Sequence, residues 1–307
     1  MPASGSRVQI TNKWYPGFGD RYAGKQTVCK LDRGFWIVSP MSMILTPLEH
    51  IPLIRHGDKL ADIVVSSVEK SDLAIEDGDI LVVAQKIVSK AEGRAVNLFT
   101  VTPSARAIEL GVETGKDPRL VELILCESNE ILRTRPGTII VEHKLGFVCA
   151  NAGIDHSNVG PPLPQADGSG VNAAGDLSEE WVLLLPRDPD RSAEELRNVI
   201  GSRIGKRIGV LIIDSHGRAW RNGTVGTAIG LAGMPGLEDL RGKPDLFDFT
   251  LQITQVGAAD ELAAAASLVM GQAAEGTPVI HVRGFPYKLR EGSLRELIRP
   301  RDQDLFR

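Results

Sequence analysis

The stretch Thr138-Ile139-Ile140-Val141-Glu142-His143-Lys144-Leu145-Gly146-Phe147-Val148-Cys149 decides the fold class. Two β-branched, apolar runs, Thr138–Glu142 and Phe147–Cys149, flank a turn at Gly146 and read as neighbouring strands. Elsewhere strands alternate with single helices. Asp79–Ala84 is a buried strand after the turn signal Asp77-Gly78, and Trp181–Leu185 and Val279–Val282 are two more. Ile208–Ile213 is a strand whose C-terminal end delivers Asp214. Asp117-Pro118 is an N-cap followed by proline, opening a helix to about Arg133. Ser192-x-x-Glu195 is a capping box for a helix to about Lys206, and Ala258–Ala274 is an alanine-rich helix stopped by Gly276 and Pro278. Paired strands mixed with single helices point to α+β rather than a regular doubly wound sheet.

The chain has 307 residues, enough for two ordinary domains or one large one. Hydrophobic residues at 42% and charged residues at 24% exclude disorder over most of the length. No apolar run is long enough to span a membrane. A net charge of −4 does not suggest a nucleic-acid partner. Three cysteines, Cys29, Cys126 and Cys149, show no CxxC pair, so reduced thiols in a cytoplasmic compartment are expected, with Cys126 and Cys149 in the core. Residues 1–42 carry six basic and two acidic side chains without periodicity, and are expected to be a poorly ordered extension. They hold no convincing signal peptide. The region 43–307 reads as the working part, divided near the Pro- and Gly-rich loop 160–175.

The common phosphate-loop, dinucleotide, serine-hydrolase and zinc-protease signatures are absent. Four polar clusters remain. In Cys149–Asn158, Asp155 can ligate a hard cation and Asn158 can hydrogen-bond a base, ribose or phosphate; a turn held by Asx side chains is the alternative. In Asp214–Gly223, a carboxylate, Ser215 and two arginines, Arg218 and Arg221, suit an anionic substrate beside a metal; a polar hairpin with exposed arginines is the alternative. In Gln85–Arg94, Lys86 and Lys90 share a face if helical and can hold a polyphosphate, or form a solvated basic face. In Met270–Gly276, a glycine inside the expected helix suggests close approach by a ligand or by a packed neighbour.

Taken together, these clusters resemble the coenzyme F420-0:L-glutamate ligase family, the γ-glutamyl ligases. The blocks follow in order: Ile51–Ile54 with Gly57-Asp58, Lys86–Gly93, Gly146–Asn158, Asp214–Arg221 with Ala228-Ile229-Gly230, Asp260–Gln272, and Val282-Arg283-Gly284. They run from about Leu45 to the closing Asp304-Leu305-Phe306-Arg307. The resemblance implies an intertwined homodimer of two-domain α+β subunits. The implied activity is GTP-dependent addition of L-glutamate to coenzyme F420-0 through an acyl phosphate. Two divalent cations per site, Mg²⁺ or Mn²⁺, and K⁺ are implied as well. Ile51, Pro52, Leu53, Ile54, Gln85, Lys86, Lys90 and Asn158 would line GTP, with Met270 and Gly271 beside them. Asp155 and Asp214 would hold one metal, and Ser215 and Gln272 the second. Arg218 and Arg221 fit as clamps for the phosphate of F420-0 or the carboxylates of glutamate.

Two positions depart from the family pattern. Ser215 stands where threonine is frequent, keeping the oxygen. Asp248-Phe249 follows Asp245-Leu246-Phe247 where glycine and arginine are usual. Two competing functions are a related nucleotide-dependent ligase or phosphotransferase with another acid acceptor, and a non-catalytic nucleotide-sensing dimer.

Overall fold

Along Ile80-Leu81-Val82-Val83, successive side chains enter different hydrophobic cores: Ile80 and Val82 one, Leu81 and Val83 the other. A strand that is apolar on both faces must lie inside a sheet covered on both sides. The computed structural model describes residues 42–71, 73–160 and 180–304, with three short earlier strands, Val8–Thr11, Val28–Lys30 and Trp36–Val38. Most of the expected loop 160–175, from Pro161 on, lies outside the described residues.

The central sheet has six strands in the order Val8–Thr11, Ser42–Pro47, Val279–Arg283, Ile80–Ala84, Gly209–Arg218 and Arg221–Ala232. Only Ile80–Ala84 and Gly209–Arg218 run parallel; every other pairing in it is antiparallel. The structure is therefore mixed α and β, as expected, and not doubly wound. Helices α1 (Leu60–Lys70), α2 (Gln85–Ala91), α3 (Ala105–Thr114), α4 (Pro118–Cys126), α5 (Pro189–Ile204) and α6 (Ala258–Met270) follow in chain order. Helices α1, α2 and α5 supply the core on one face of the sheet, and α6 the core on the other. A third core, spanning Leu98 to Val182, joins α3 and α4 to the three-stranded sheet of Ser128–Arg135, Thr138–His143 and Val148–Ala150. Among the described residues, no helix is long and apolar enough to cross a membrane.

Four local expectations need correction. Helix α4 ends at Cys126 rather than near Arg133, and Ser128–Arg135 is a strand paired with Thr138–His143 across a turn at Pro136-Gly137. The Pro136-Gly137 pair makes the turn of this hairpin. Cys126 is exposed, because α4 turns Leu120, Val121 and Ile124 inward; Cys149 is buried as expected. Helix α5 starts earlier, with Asp188 as N-cap accepting from Arg191 N and Pro189 in the first turn. Ser192 instead donates to Glu92, tying α5 to the end of α2. Helix α6 stops at Met270, so Gly271 is its terminator, with φ 78° that a residue bearing Cβ rarely adopts.

At the start of strand Ile80–Ala84, buried Asp79 accepts from His281 Nε2 at 2.7 Å and from Arg283 Nε and Nη2 at 3.0 and 2.6 Å. Burial alone would raise its pKa, but these bonds and the Glu76 backbone N–H bring it down to about 2. A depressed carboxylate stabilises the fold above its ordinary value of 3.8 and loses that contribution as pH falls toward about 2. Asp79→Asn should cost about 3 kcal/mol at neutral pH, since it takes the ionised acceptor from buried His281 and leaves Arg283 with Glu76 alone as its ion-pair partner. Urea midpoints of the two proteins measure this; equal midpoints would make the network energetically idle.

Candidate active site

Three consecutive residues after strand Val148–Ala150 adopt left-handed backbone: Asn151, Ala152 and Gly153, with φ 51°, 52° and 64°. Asn151 Oδ1 accepts Ile139 N–H, which fixes the turn to the neighbouring strand. A Cβ on Gly153 would stand 2.7 Å from Leu185, so the tight course of the chain depends on glycine there. Asp155 then pairs by both backbone groups with Leu183, at 3.0 and 2.9 Å. The Asn151 side chain thus anchors the turn, as in the alternative reading of this cluster, and the turn leads the chain to Asp155.

Asp214 is delivered differently from expectation. The strand continues through it to Arg218 and folds back as a long hairpin with Arg221–Ala232. A register shift between Ile212 and Ile213 leaves Ile229 without a direct partner just before Asp214. Such bulges change the direction of the side chains that follow them. Asp155 and Asp214 share the wall of a cavity of about 130 Å³ with Ala150, Gly153, Ser215 and His216. A roomier hollow of about 310 Å³ beside Arg197 and Lys206 contains none of these residues and no carboxylate.

The cavity is electrostatically unbalanced. Burial, and then the facing Asp214, push the Asp155 carboxyl up to about 6, against the pull of Lys86 at 3.5 Å and the Gln85 amide at 2.8 Å. Behind Asp214, His216 Nε2 lies 3.0 Å from Oδ2. The His216 ring contacts Phe147, which stacks on His143 at 5.2 Å. His143 Nδ1 accepts Leu145 N–H, and burial lowers its pKa to about 4, so it stays neutral. Sequence reasoning missed this aromatic backing, as well as Ser157 and Ser89. Ser157, Ser89 and His216 each lie inside one of the polar clusters, but nothing in the sequence distinguishes them there.

The remaining clusters converge on the same place. Helix α2 does carry Lys86 and Lys90 one turn apart. Lys86 Nζ donates to Ser157 Oγ at 2.8 Å, and Lys90 Nζ to the Asn158 carbonyl at 2.7 Å. Burial and the neighbouring Lys86 lower the Lys90 pKa. Asn158 Nδ2 donates to the Ala273 carbonyl at 3.0 Å, which binds this loop to the segment after α6. There Gln272 Oε1 accepts from Ser215 Oγ at 2.8 Å, so the two residues expected to share a ligand do meet. Met270 and Gly271 close the helix immediately before them.

Two groups fit less closely. In Ile51–Ile54, Leu53 is exposed but Ile54 packs in the core, so its side chain does not line a surface site. That loop reaches α2 through Gly57 N–H donating to the Ala91 carbonyl. Arg218 and Arg221 face each other across the exposed hairpin tip, beyond the cavity wall, as in the polar-hairpin alternative.

Beside the His216 imidazole, the oxygen donors around the cavity are hard: two carboxylates, a hydroxyl and an amide carbonyl. They suit Mg²⁺ or Mn²⁺ rather than zinc or copper. Among the described residues no three His, Cys, Asp or Glu side chains gather around one point. The arrangement therefore fits a cation that keeps waters and substrate oxygens, as Mg²⁺ does, and not a closed protein cage. A cation would also offset the two partly buried carboxylates that oppose each other.

The sequence model of the F420-0:Gamma-glutamyl ligase family matches residues 49–284. A protein named coenzyme F420:L-glutamate ligase from Methanothermobacter thermautotrophicus is 44% identical over 269 residues, 87% of this chain and 100% of the relative. Proteins of the same name from Methanopyrus kandleri and Archaeoglobus fulgidus are 44% and 42% identical, over 85% and 87% of this chain and 97% of each relative.

Proposed function

The chain belongs to the F420-0:gamma-glutamyl ligase family, and from that premise we propose that it joins L-glutamate to coenzyme F420-0 at the expense of GTP. The observation that supports this best is the convergence of Asp155, Asp214, Ser215–Gln272 and the Lys86–Lys90 pair on one loop system. Carboxylates for cations and ammonium groups for phosphates are what phosphoryl transfer to an acid requires.

In this reading a carboxylate oxygen of F420-0 attacks the γ-phosphorus of GTP. The β–γ bridging oxygen leaves with GDP, and an acyl phosphate forms. The glutamate amine, having lost a proton, then attacks the acyl carbon and expels phosphate, leaving an amide. Repetition would add further glutamates. Lys86 and Lys90 grip phosphate oxygens, and Gln85 and Asn158 hold the loops around the nucleotide. Arg218 and Arg221, on their exposed tip, meet the anionic groups of the acceptor or of glutamate. Divalent cations held by Asp155, Asp214, Ser215 and Gln272 would offset the charge developing on the transferred phosphoryl group. GDP release measured with each substrate omitted tests the scheme. Release should require F420-0, and amide formation should require glutamate as well. GTP hydrolysis indifferent to F420-0 would contradict it.

The proposed assembly is a homodimer of two-subdomain protomers. Leu246, Phe247, Phe249 and Ile253 lie exposed on one loop, with Phe247 at 89% and Ile253 at 87%. Trp220 and Leu268 are exposed as well. Apolar surface of this kind favours a protein partner. The loop's 245–249 turn is fixed by Asp245 Oδ1, which accepts from Phe247 N and Phe249 N. Asp248 has φ 62°, which accounts for glycine being usual there; aspartate tolerates that backbone better than most residues. Light scattering should give the mass of two chains, and Phe247→Asp with Phe249→Asp should shift it toward one. A native monomer at micromolar concentration would overturn the dimer.

A further inference from the structure

Ser89 sits one turn beyond Gln85 on α2 and is completely buried. Its hydroxyl donates to Gln85 Oε1 at 2.9 Å. The Gln85 side chain, also buried, donates from Nε2 to Asp155 Oδ2 at 2.8 Å. An amide oxygen only accepts and an amide nitrogen only donates. The carboxylate, which when ionised only accepts, turns Nε2 toward itself, and the Ser89 hydroxyl donates to the Oε1 left facing it and pins the amide in that orientation. With Ser89 donating to Oε1, Nε2 turns onto the carboxylate; reversed, two oxygens would oppose each other there. Lys86 also approaches Oδ2, at 3.5 Å. Among the described residues no hydrogen bond falls on Asp155 Oδ1.

We infer that Ser89 is a positioning residue: acting through the Gln85 amide, it holds Asp155 Oδ2 and leaves Oδ1 free in a fixed direction for a cation. The chemistry resembles other metal sites, where groups behind the ligands set ligand orientation. Ser89 touches neither nucleotide nor acceptor in this scheme. The inference rests on the proposal above that Asp155 holds a divalent cation, and its test separates the two.

The test titrates Mn²⁺ alone into the full chain, reading free Mn²⁺ by electron paramagnetic resonance. It compares the native protein with Asp155→Asn, Ser89→Ala, Gln85→Met and the Ser89→Ala/Gln85→Met double variant. Asp155→Asn should lose most of the binding. Ser89→Ala should weaken it about tenfold, the equivalent of one buried hydrogen bond. The double variant should match Gln85→Met alone, because Ser89 acts only through that amide. Should Ser89→Ala fail to fold, Ser89→Cys, a weaker donor of similar shape, should bind between native and Gln85→Met. Native-like affinity in the folded serine variant, with Asp155→Asn defective, would overturn the positioning role. A serine effect that persists in the Gln85→Met background would overturn it too. Undiminished binding by Asp155→Asn, or none by the native chain, would instead remove the metal reading itself.

Discussion

Asp155→Asn and Asp214→Asn each lower turnover by at least about a hundredfold while the fold survives. Each substitution keeps the shape and removes one negative charge from the cavity. Replacing groups that merely orient metal ligands costs about 10–100-fold, so losing a ligand charge should cost more. The two variants should differ in stability without metal. Asp155 is held up at about 6, above its ordinary 3.8. A raised carboxyl favours the folded state at low pH, and that advantage disappears as pH rises through about 4 to 6. At neutral pH the ionised, partly buried group therefore weighs against folding. Asp155→Asn should stabilise the metal-free protein by about 1–3 kcal/mol and flatten that stretch of the pH profile. Near-normal turnover in either variant at limiting Mn²⁺ would take that residue out of the metal site. A metal-free Asp155→Asn protein less stable than native would contradict the electrostatic account.

Lys90→Ala raises the apparent GTP constant by about 10- to 150-fold and moves the glutamate constant far less. An ammonium on a phosphate oxygen contributes a charge-assisted bond of about 1.5–3 kcal/mol, and about 1.4 kcal/mol is tenfold. Lys90 is half-buried and rests on the Asn158 carbonyl, one turn from Lys86. It is thus no solvated surface cation, for which removal would change either constant by at most about twofold. Steady-state kinetics with each substrate varied in turn separates the cases. A larger shift for glutamate than for GTP would sink the assignment.

What could be read in the chain followed local physics. The mostly apolar strands near Ile80, Ile208 and Val279 announce burial without any knowledge of partners, and all three lie in the central sheet. Asp117-Pro118 marks its helix start correctly. Ser128–Arg135 went unread because its burial is irregular; it is a strand through its pairing with Thr138–His143. The hairpin through Asp214 escaped for a related reason: its outer half is polar and exposed, and only cross-strand hydrogen bonds continue the strand past Ile213. The candidate residues were visible as clusters, yet their meeting was not. Lys86 meets Ser157 across 71 positions and Asn158 meets Ala273 across 115. Ser89 lies inside the Gln85–Arg94 cluster but carries no signal of its own, since a buried serine in a helix looks like packing until its link through Gln85 to Asp155 is seen.

The measurement that bears most directly on the proposed activity is mass spectrometry of the product after incubation with GTP, Mn²⁺, L-glutamate and F420-0. The account predicts F420 species heavier by one or more glutamyl residues, with one GDP and one phosphate released for each residue added. F420-0 recovered unchanged from folded, nucleotide-binding protein, or glutamate ligated only to a different acid, would contradict it.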